Sequence, residues 1–164
     1  MLTLTPGPCP LGLRWPDADP CGLRGARVLV ADGDPRAAAA HAGAICAAGC
    51  AVTLAKDGAE ALDLIVAGIP FDLLVTDLCL PRLDGAGLIR HLRRVRPWCP
   101  VVVAASVPPP DGVRGLHGRG EGPLLLLDKP VAPARLVAAA ALAACRAARP
   151  SVARCPLAAA GDAR

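Results

Sequence analysis

The stretch Phe71-Asp72-Leu73-Leu74-Val75-Thr76-Asp77-Leu78-Cys79-Leu80-Pro81-Arg82-Leu83-Asp84-Gly85 decides the fold of this chain. Leu73 to Val75 is an apolar run that periodicity alone leaves open between a buried strand and a helix fragment. Its shortness favours a strand, as do the turn signals around it: Gly68 and Pro70 before, Pro81 and Asp84-Gly85 after. Asp77 then stands at the carboxyl end of a buried strand. In open parallel α/β sheets that is where ligands and chemistry collect.

Working outward, two further apolar runs end in charge. Arg27-Val28-Leu29-Val30-Ala31 runs into Asp32-Gly33-Asp34, and Leu124-Leu125-Leu126-Leu127 into Asp128-Lys129-Pro130. Between them the chain alternates. Asp34-Pro35 is a cap and first turn for a helix over 37–47, which stops near Gly49. Val52 to Ala55 is the second strand, and a second helix follows over 59–67. A third helix over 86–95 has Leu88, Ile89 and Leu92 as its inward stripe and Arg90, Arg93 and Arg94 facing out, and Pro97 ends it. The run from Pro100 to Ala105 is the fourth strand, with the β-branched Val101-Val102-Val103. From Val107 to Pro123 the chain offers Pro108-Pro109-Pro110 and five glycines, so any helix there is a turn or two around Val113 to Leu116. Each interior glycine costs about 1 kcal/mol of helix against alanine. The last helix occupies 134–148. Strands alternating with helices give a parallel sheet covered on both faces.

Residues 1–25, without a period, are expected as a flexible arm, 26–149 as one domain, and 150–164 as a frayed tail. Apolar residues make up 54% of the 164, which excludes a disordered chain. Aromatics are only 2%, so the core must be built from Leu, Val and Ala. The net charge of +4 is read as a solvated arginine surface, and nucleic-acid binding is not expected. The eight cysteines show no CxxC pair and no zinc spacing, and no secretory signal is visible, so they read as small buried thiols of a cytoplasmic protein. The apolar run Val137 to Cys145 is too short to cross a bilayer, so no membrane partner is expected. His41, His91 and His117 are read as solvated and ungrouped.

In this order the motifs resemble those of response regulator receiver domains, the chemotaxis-regulator-like modules of bacterial two-component signalling. The resemblance covers Arg27 to Arg149. It rests on the acidic site after the first strand, the Asp77 strand with Leu80-Pro81 and Asp84-Gly85 behind it, Gly58-Ala59-Glu60-Ala61-Leu62 opening a helix, and Lys129-Pro130. It implies a flavodoxin-like α/β/α fold with a five-stranded parallel sheet in the order 2-1-3-4-5 and a poorly formed fourth helix. It also implies that Asp77 accepts a phosphoryl group from a sensor histidine kinase or a histidine phosphotransfer protein. Lys129 would contact the phosphoryl group. Mg²⁺ would be held by Asp32, Asp77 and the backbone carbonyl of Cys79, with Asp34 as a lesser candidate. The module would stand alone and signal by docking onto a downstream protein target that the sequence leaves unnamed. It would be no enzyme beyond autophosphatase activity.

Three positions and one segment depart from the family. Gly33 stands where a second acidic residue is usual, which should weaken Mg²⁺ binding. Ungapped spacing puts Ala105 at the switch hydroxyl, with Ser106 next door as the possible substitute. Leu126 falls at the usual aromatic switch, and the fourth helix is broken by glycine and proline. These departures support a second reading, a pseudo-receiver that binds partners without phosphorylation. A third follows from Asp32-Gly33-Asp34, which is similar to the DxD nucleophile motif of haloacid-dehalogenase-type phosphatases. That chemistry needs a further acidic pair after Lys129, where only Asp162 remains.

Overall fold

The computed structural model describes Thr3–Leu4 and residues 23–107, 115–116 and 122–148. Its elements run β1 (Thr3–Leu4), β2 (Arg27–Ala31), α1 (Pro35–Ala47), β3 (Ala51–Ala55), α2 (Gly58–Val66), β4 (Leu73–Asp77), α3 (Gly85–Val95), β5 (Val101–Ala105), β6 (Leu124–Asp128) and α4 (Pro133–Ala148). The sheet order is β1-β3-β2-β4-β5-β6. Its five long strands are all parallel, so their own order is 2-1-3-4-5.

Each helix start has a local cause. The Asp34 side chain accepts from the Arg36 N–H at 2.9 Å, and Pro35 fills the first turn where no N–H is needed. Asp57 accepts from the Glu60 N–H at 2.9 Å while Glu60 reaches back to the Lys56 N–H at 3.0 Å, a reciprocal cap. Asp84 accepts from the Gly87 N–H at 2.5 Å. Gly49 and Gly68, at φ of 88° and 71°, turn the chain out of α1 and α2 in the left-handed conformation.

Strand alternation divides the core in two. Val28, Val30, Leu73, Val75 and Val102 pack with Ile45, Leu136 and Ala140 beneath α1 and α4. Leu29, Leu74, Val101 and Val103 pack with Ile65, Leu88, Ile89 and Leu92 beneath α2 and α3. β4 and β5 are buried at every position, as expected of central parallel strands. The large buried side chains are Leu, Ile and Val, with Phe71 the one aromatic among the buried core residues described.

Four expectations need correction. Arg93 does not face out. It is 5% exposed, and its guanidinium donates to the carbonyls of Pro97 (3.0 Å), Cys99, Gly122 (3.1 Å) and Pro123 (3.3 Å). Burial pushes its pKa down, and the carbonyls supply the polar partners that a buried charge requires. The first 25 residues are not an arm throughout: Thr3 and Leu4 pair antiparallel with Thr53 and Val52, and Leu23 is 4% exposed in the core. The cysteines are not uniformly buried. Cys50 and Cys99 are, Cys46 and Cys145 are half-buried, and Cys79 is exposed, all as free thiols. His41 is 7% exposed, not solvated. The expected proline and glycine break after Val107 lies largely outside the described residues; Gly115 and Leu116 are helical, and Leu116 is buried. The expected tail over 150–164 also lies outside them. Among the described residues no helix is long and apolar enough to cross a membrane.

Candidate functional site

Register brings the charged strand ends together. β2 lies between β3 and β4, and β4 between β2 and β5, so Asp32 and Asp77 leave neighbouring strands at the same edge. Lys129 arrives from β6, held by its own N–H donating to the Ala105 carbonyl at 2.9 Å. Its Nζ lies 2.7 Å from Asp77 Oδ2 and 3.2 Å from Asp32 Oδ2. The Asp32, Asp77 and Lys129 side chains are 2%, 11% and 18% exposed, so one ammonium bridges two largely buried carboxylates.

The other acceptor sites of these carboxylates are partly used. Asp32 Oδ1 accepts from the Asp34 N–H at 3.0 Å, and Asp77 Oδ1 from the Cys79 N–H at 3.0 Å. Burial pushes the Asp32 carboxyl up, but its contacts with His41, the Asp34 N–H and Lys129 outweigh that and leave it below the ordinary carboxylate value. For Lys129, burial pulls down while the hydrogen bond to Asp77 and the charges of Asp32 and Asp77 push up, for a net rise. Both shifts favour the ionised forms.

The loop behind Asp77 is fixed just as tightly. Arg82 adopts a left-handed φ of 64°, and its Nη2 lies 2.5 Å from Asp57 Oδ2. That pair ties the β4–α3 loop to the start of α2. A side chain at Gly58 would overlap the Leu83 carbonyl, and one at Gly85 would overlap the Asp77 carbonyl oxygen. Glycine is required at both by close approach of backbone.

Of the residues singled out in the sequence, the structure brings together Asp32, Asp77 and Lys129, with Cys79 alongside. It sets two others apart. Asp34 is exposed, and its carboxylate is committed to capping α1. Asp34 therefore does not join Asp32 at the cluster. Ser106 lies beyond the end of β5, exposed, with no side-chain hydrogen bond to the cluster among the described residues. Ala104 is the residue paired with Asp77, and Ala105 pairs with Asp128. Leu126 is half-buried on β6. One residue was missed: His41 Nδ1 lies 3.4 Å from Asp32 Oδ2. Its spacing with Ala38, Ala42 and Ile45, a helical i, i+3, i+4, i+7 stripe, was the available signal.

The donor set suits Mg²⁺. Among the described residues no three His, Cys, Asp or Glu side chains gather as a metal centre. Mg²⁺ does not require that, since it takes one or two carboxylates and keeps several waters. A carboxylate offers about four lone-pair sites. With Oδ1 taking one donor and Oδ2 facing Lys129 and His41, Asp32 keeps one site free; Asp77, with one donor on each oxygen, keeps two. Two carboxylates against one ammonium leave the cluster with net negative charge.

Comparison with known proteins agrees with this arrangement. The family model for the response regulator receiver domain matches residues 28–141. The chain belongs to this family. The transcriptional regulatory protein TcrA of Mycobacterium tuberculosis is 35% identical over 100 residues, covering 60% of this chain and 39% of that protein. The response regulator MprA of Mycobacterium avium is 39% identical over 80 residues, covering 49% of this chain and 35% of MprA. The receiver thus spans less than half the length of these relatives. Among solved structures, the receiver domain of the Francisella response regulator 1452 is 29% identical with a TM-score of 0.63, covering 73% of this chain and 96% of that one. A receiver protein from Sinorhizobium medicae is 26% identical at a TM-score of 0.64, covering 75% and 97%. Receivers are signalling domains of two-component systems, and the expected fold and family stand.

Proposed function

We propose that this receiver accepts a phosphoryl group on Asp77 from a phosphohistidine of a sensor kinase or phosphotransfer protein, and that the phosphorylated surface docks onto a protein target in the cytoplasm. The observation that carries this reading is the bridge from Lys129 to Asp77 and Asp32 at 2.7 and 3.2 Å. A carboxylate oxygen of Asp77 attacks phosphorus, the P–N bond breaks, and the imidazole leaves with the electron pair and takes a proton from solvent. The product is an acyl phosphate. Lys129 moves from pairing the carboxylate to pairing a phosphoryl oxygen, so its charge is in place before the reaction and needs little reorganisation. The Cys79 N–H keeps the Asp77 plane fixed. Asp32, Asp77 and the Cys79 carbonyl would hold Mg²⁺, which supplies positive charge to the transferring group.

The test is intact mass after incubation with Mg²⁺ and acetyl phosphate, with Asp77→Asn as control. A Mg²⁺-dependent phosphoryl adduct that vanishes in the Asn variant is expected. No adduct on folded protein, from acetyl phosphate or from a phosphorylated histidine kinase, would sink this reading. That result would favour a docking module independent of phosphorylation. Gly33 beside Asp32 and buried Ala105 at the end of β5 are the observations on its side.

A further inference from the structure

A histidine on the inward face of a helix must find a polar partner or bear the cost of burial. His41 shares that face of α1 with Ala38, Ala42 and Ile45, all buried. The two alanines flanking it are small. Nδ1 lies 3.4 Å from Asp32 Oδ2, longer than an ideal N–H···O bond, with the two side chains 8% and 2% exposed. Asp32 is therefore approached from three directions: the Asp34 N–H on Oδ1, and Lys129 and His41 on Oδ2. An ionised carboxylate only accepts, so His41 can hold Asp32 only with its hydrogen on Nδ1. Lys129 is shared with Asp77 and would be drawn away by a phosphoryl group. His41 belongs to α1 alone and stays.

We propose that His41 is a positioning residue for Asp32, fixing its carboxylate from the α1 side so that Asp32 can hold the metal with Asp77 in a site whose neighbouring position is Gly33. The inference rests on the reading of Asp32 as a Mg²⁺ ligand. Ligating carboxylates are themselves hydrogen-bonded, and losing such an outer partner typically weakens metal binding about 10–100-fold. Here the outer partner matters more than usual, because the residue next to Asp32 is Gly33 and only Asp77 is left to share the ion.

The test titrates Mg²⁺ alone into the full chain by calorimetry, comparing wild type with His41→Leu and His41→Asn. Leucine keeps apolar bulk on the α1 face and removes the donor; asparagine places an N–H near the Nδ1 position. His41→Leu is expected to unfold at the wild-type temperature or above it, yet to bind Mg²⁺ about tenfold more weakly. His41→Asn should restore most of the affinity. A merely structural role predicts the reverse pattern, with leucine best tolerated in both measurements. Wild-type affinity in folded His41→Leu would overturn the proposal, and so would failure of asparagine to rescue. A long-range ¹H–¹⁵N spectrum of the wild type decides independently of any variant's folding: Nδ1 protonated supports the proposal, Nδ1 bare overturns it. No Mg²⁺ binding by the wild type would overturn the metal role. Failure of Asp77 to take a phosphoryl group, with the His41 pattern intact, would sink the proposed function and leave this inference standing.

Discussion

Replacing Lys129 with methionine tests the electrostatic reading of the site most directly. The ammonium lies 2.7 and 3.2 Å from two carboxylate oxygens. At an effective dielectric near 20, each contact is worth about 5–6 kcal/mol of Coulomb attraction. Removing the lysine also removes the cost of burying it, so the net loss is much smaller. Taking one partner from a buried pair typically costs about 3–5 kcal/mol. The lysine side chain is 18% exposed, which places the expectation at the lower end, about 3 kcal/mol at pH 7. In urea that is a midpoint shift of about 2 M for a slope of about 1.5 kcal/mol per M. The pH dependence is the sharper signature. In the wild type, Asp32 has a lowered pKa, so its contribution is lost only as pH falls below the unfolded value of about 3.9. Lys129 has a raised pKa, so its contribution is lost only above about 10.4. Between pH 7 and pH 5 these two groups give no slope. In Lys129→Met the two carboxylates face each other without a cation, and one must take a proton at a raised pKa. A raised acid stabilises the fold as pH falls. The gap between variant and wild type should therefore narrow from pH 7 to pH 5, and Mg²⁺ should narrow it at pH 7. A gap that stays constant across that range, with and without Mg²⁺, would refute the shared-lysine account.

Other perturbations give separate expectations. A Cβ at Gly33 would stand 2.8 Å from Pro81 Cδ, so Gly33→Ala should lower the thermal midpoint by a few degrees. Gly33→Asp should carry the same penalty yet bind Mg²⁺ more tightly than Gly33→Ala in a calorimetric titration; equal affinities would show that the second acid cannot reach. Arg93→Met leaves carbonyls of Pro97, Cys99, Gly122 and Pro123 without their donor and should cost about 3 kcal/mol, with faster amide exchange around β5 and β6. Arg82→Gly relieves a left-handed backbone worth about 1 kcal/mol and loses a half-exposed ion pair of similar size, so a urea midpoint close to wild type is expected.

The elements were legible because local signals and global fold agree. Asp34, Asp57 and Asp84 each precede a helix and cap it, and the apolar runs ending in Asp32 and Asp77 became adjacent parallel strands, with the run ending in Asp128-Lys129 parallel to them beyond β5. The site triad was legible for the same reason, since strand ends at one edge must converge. Arg93 was not. Its partners lie up to 30 residues away in a segment whose approach sequence cannot reveal, and an arginine beside Arg94 reads as surface. His41 was hidden by composition: in an alanine-rich helix the apolar stripe is faint, and a histidine in it looks polar and outward. Thr3–Leu4 is too short to show a period. The pairing at the end of β5 needed coordinates, because run length in Val101 to Ala105 does not say which alanine faces Asp77.

The close approach at Gly85 has a mechanical consequence. The first residue of α3 sits directly against the peptide of Asp77, with the Gly85 N–H donating to the Leu78 carbonyl at 2.9 Å. There is no slack between the two. Any displacement of the Asp77 backbone would press on the leading turn of α3 as a stiff rod presses on its seat. The opposite neighbour, β5, presents the small side chains of Ala104 and Ala105, and the Leu78 N–H donates to the Ala104 carbonyl at 3.4 Å. A shift of the Asp77 backbone would therefore meet the leading turn of α3 first, and the far end of that helix is held by the Arg93 guanidinium.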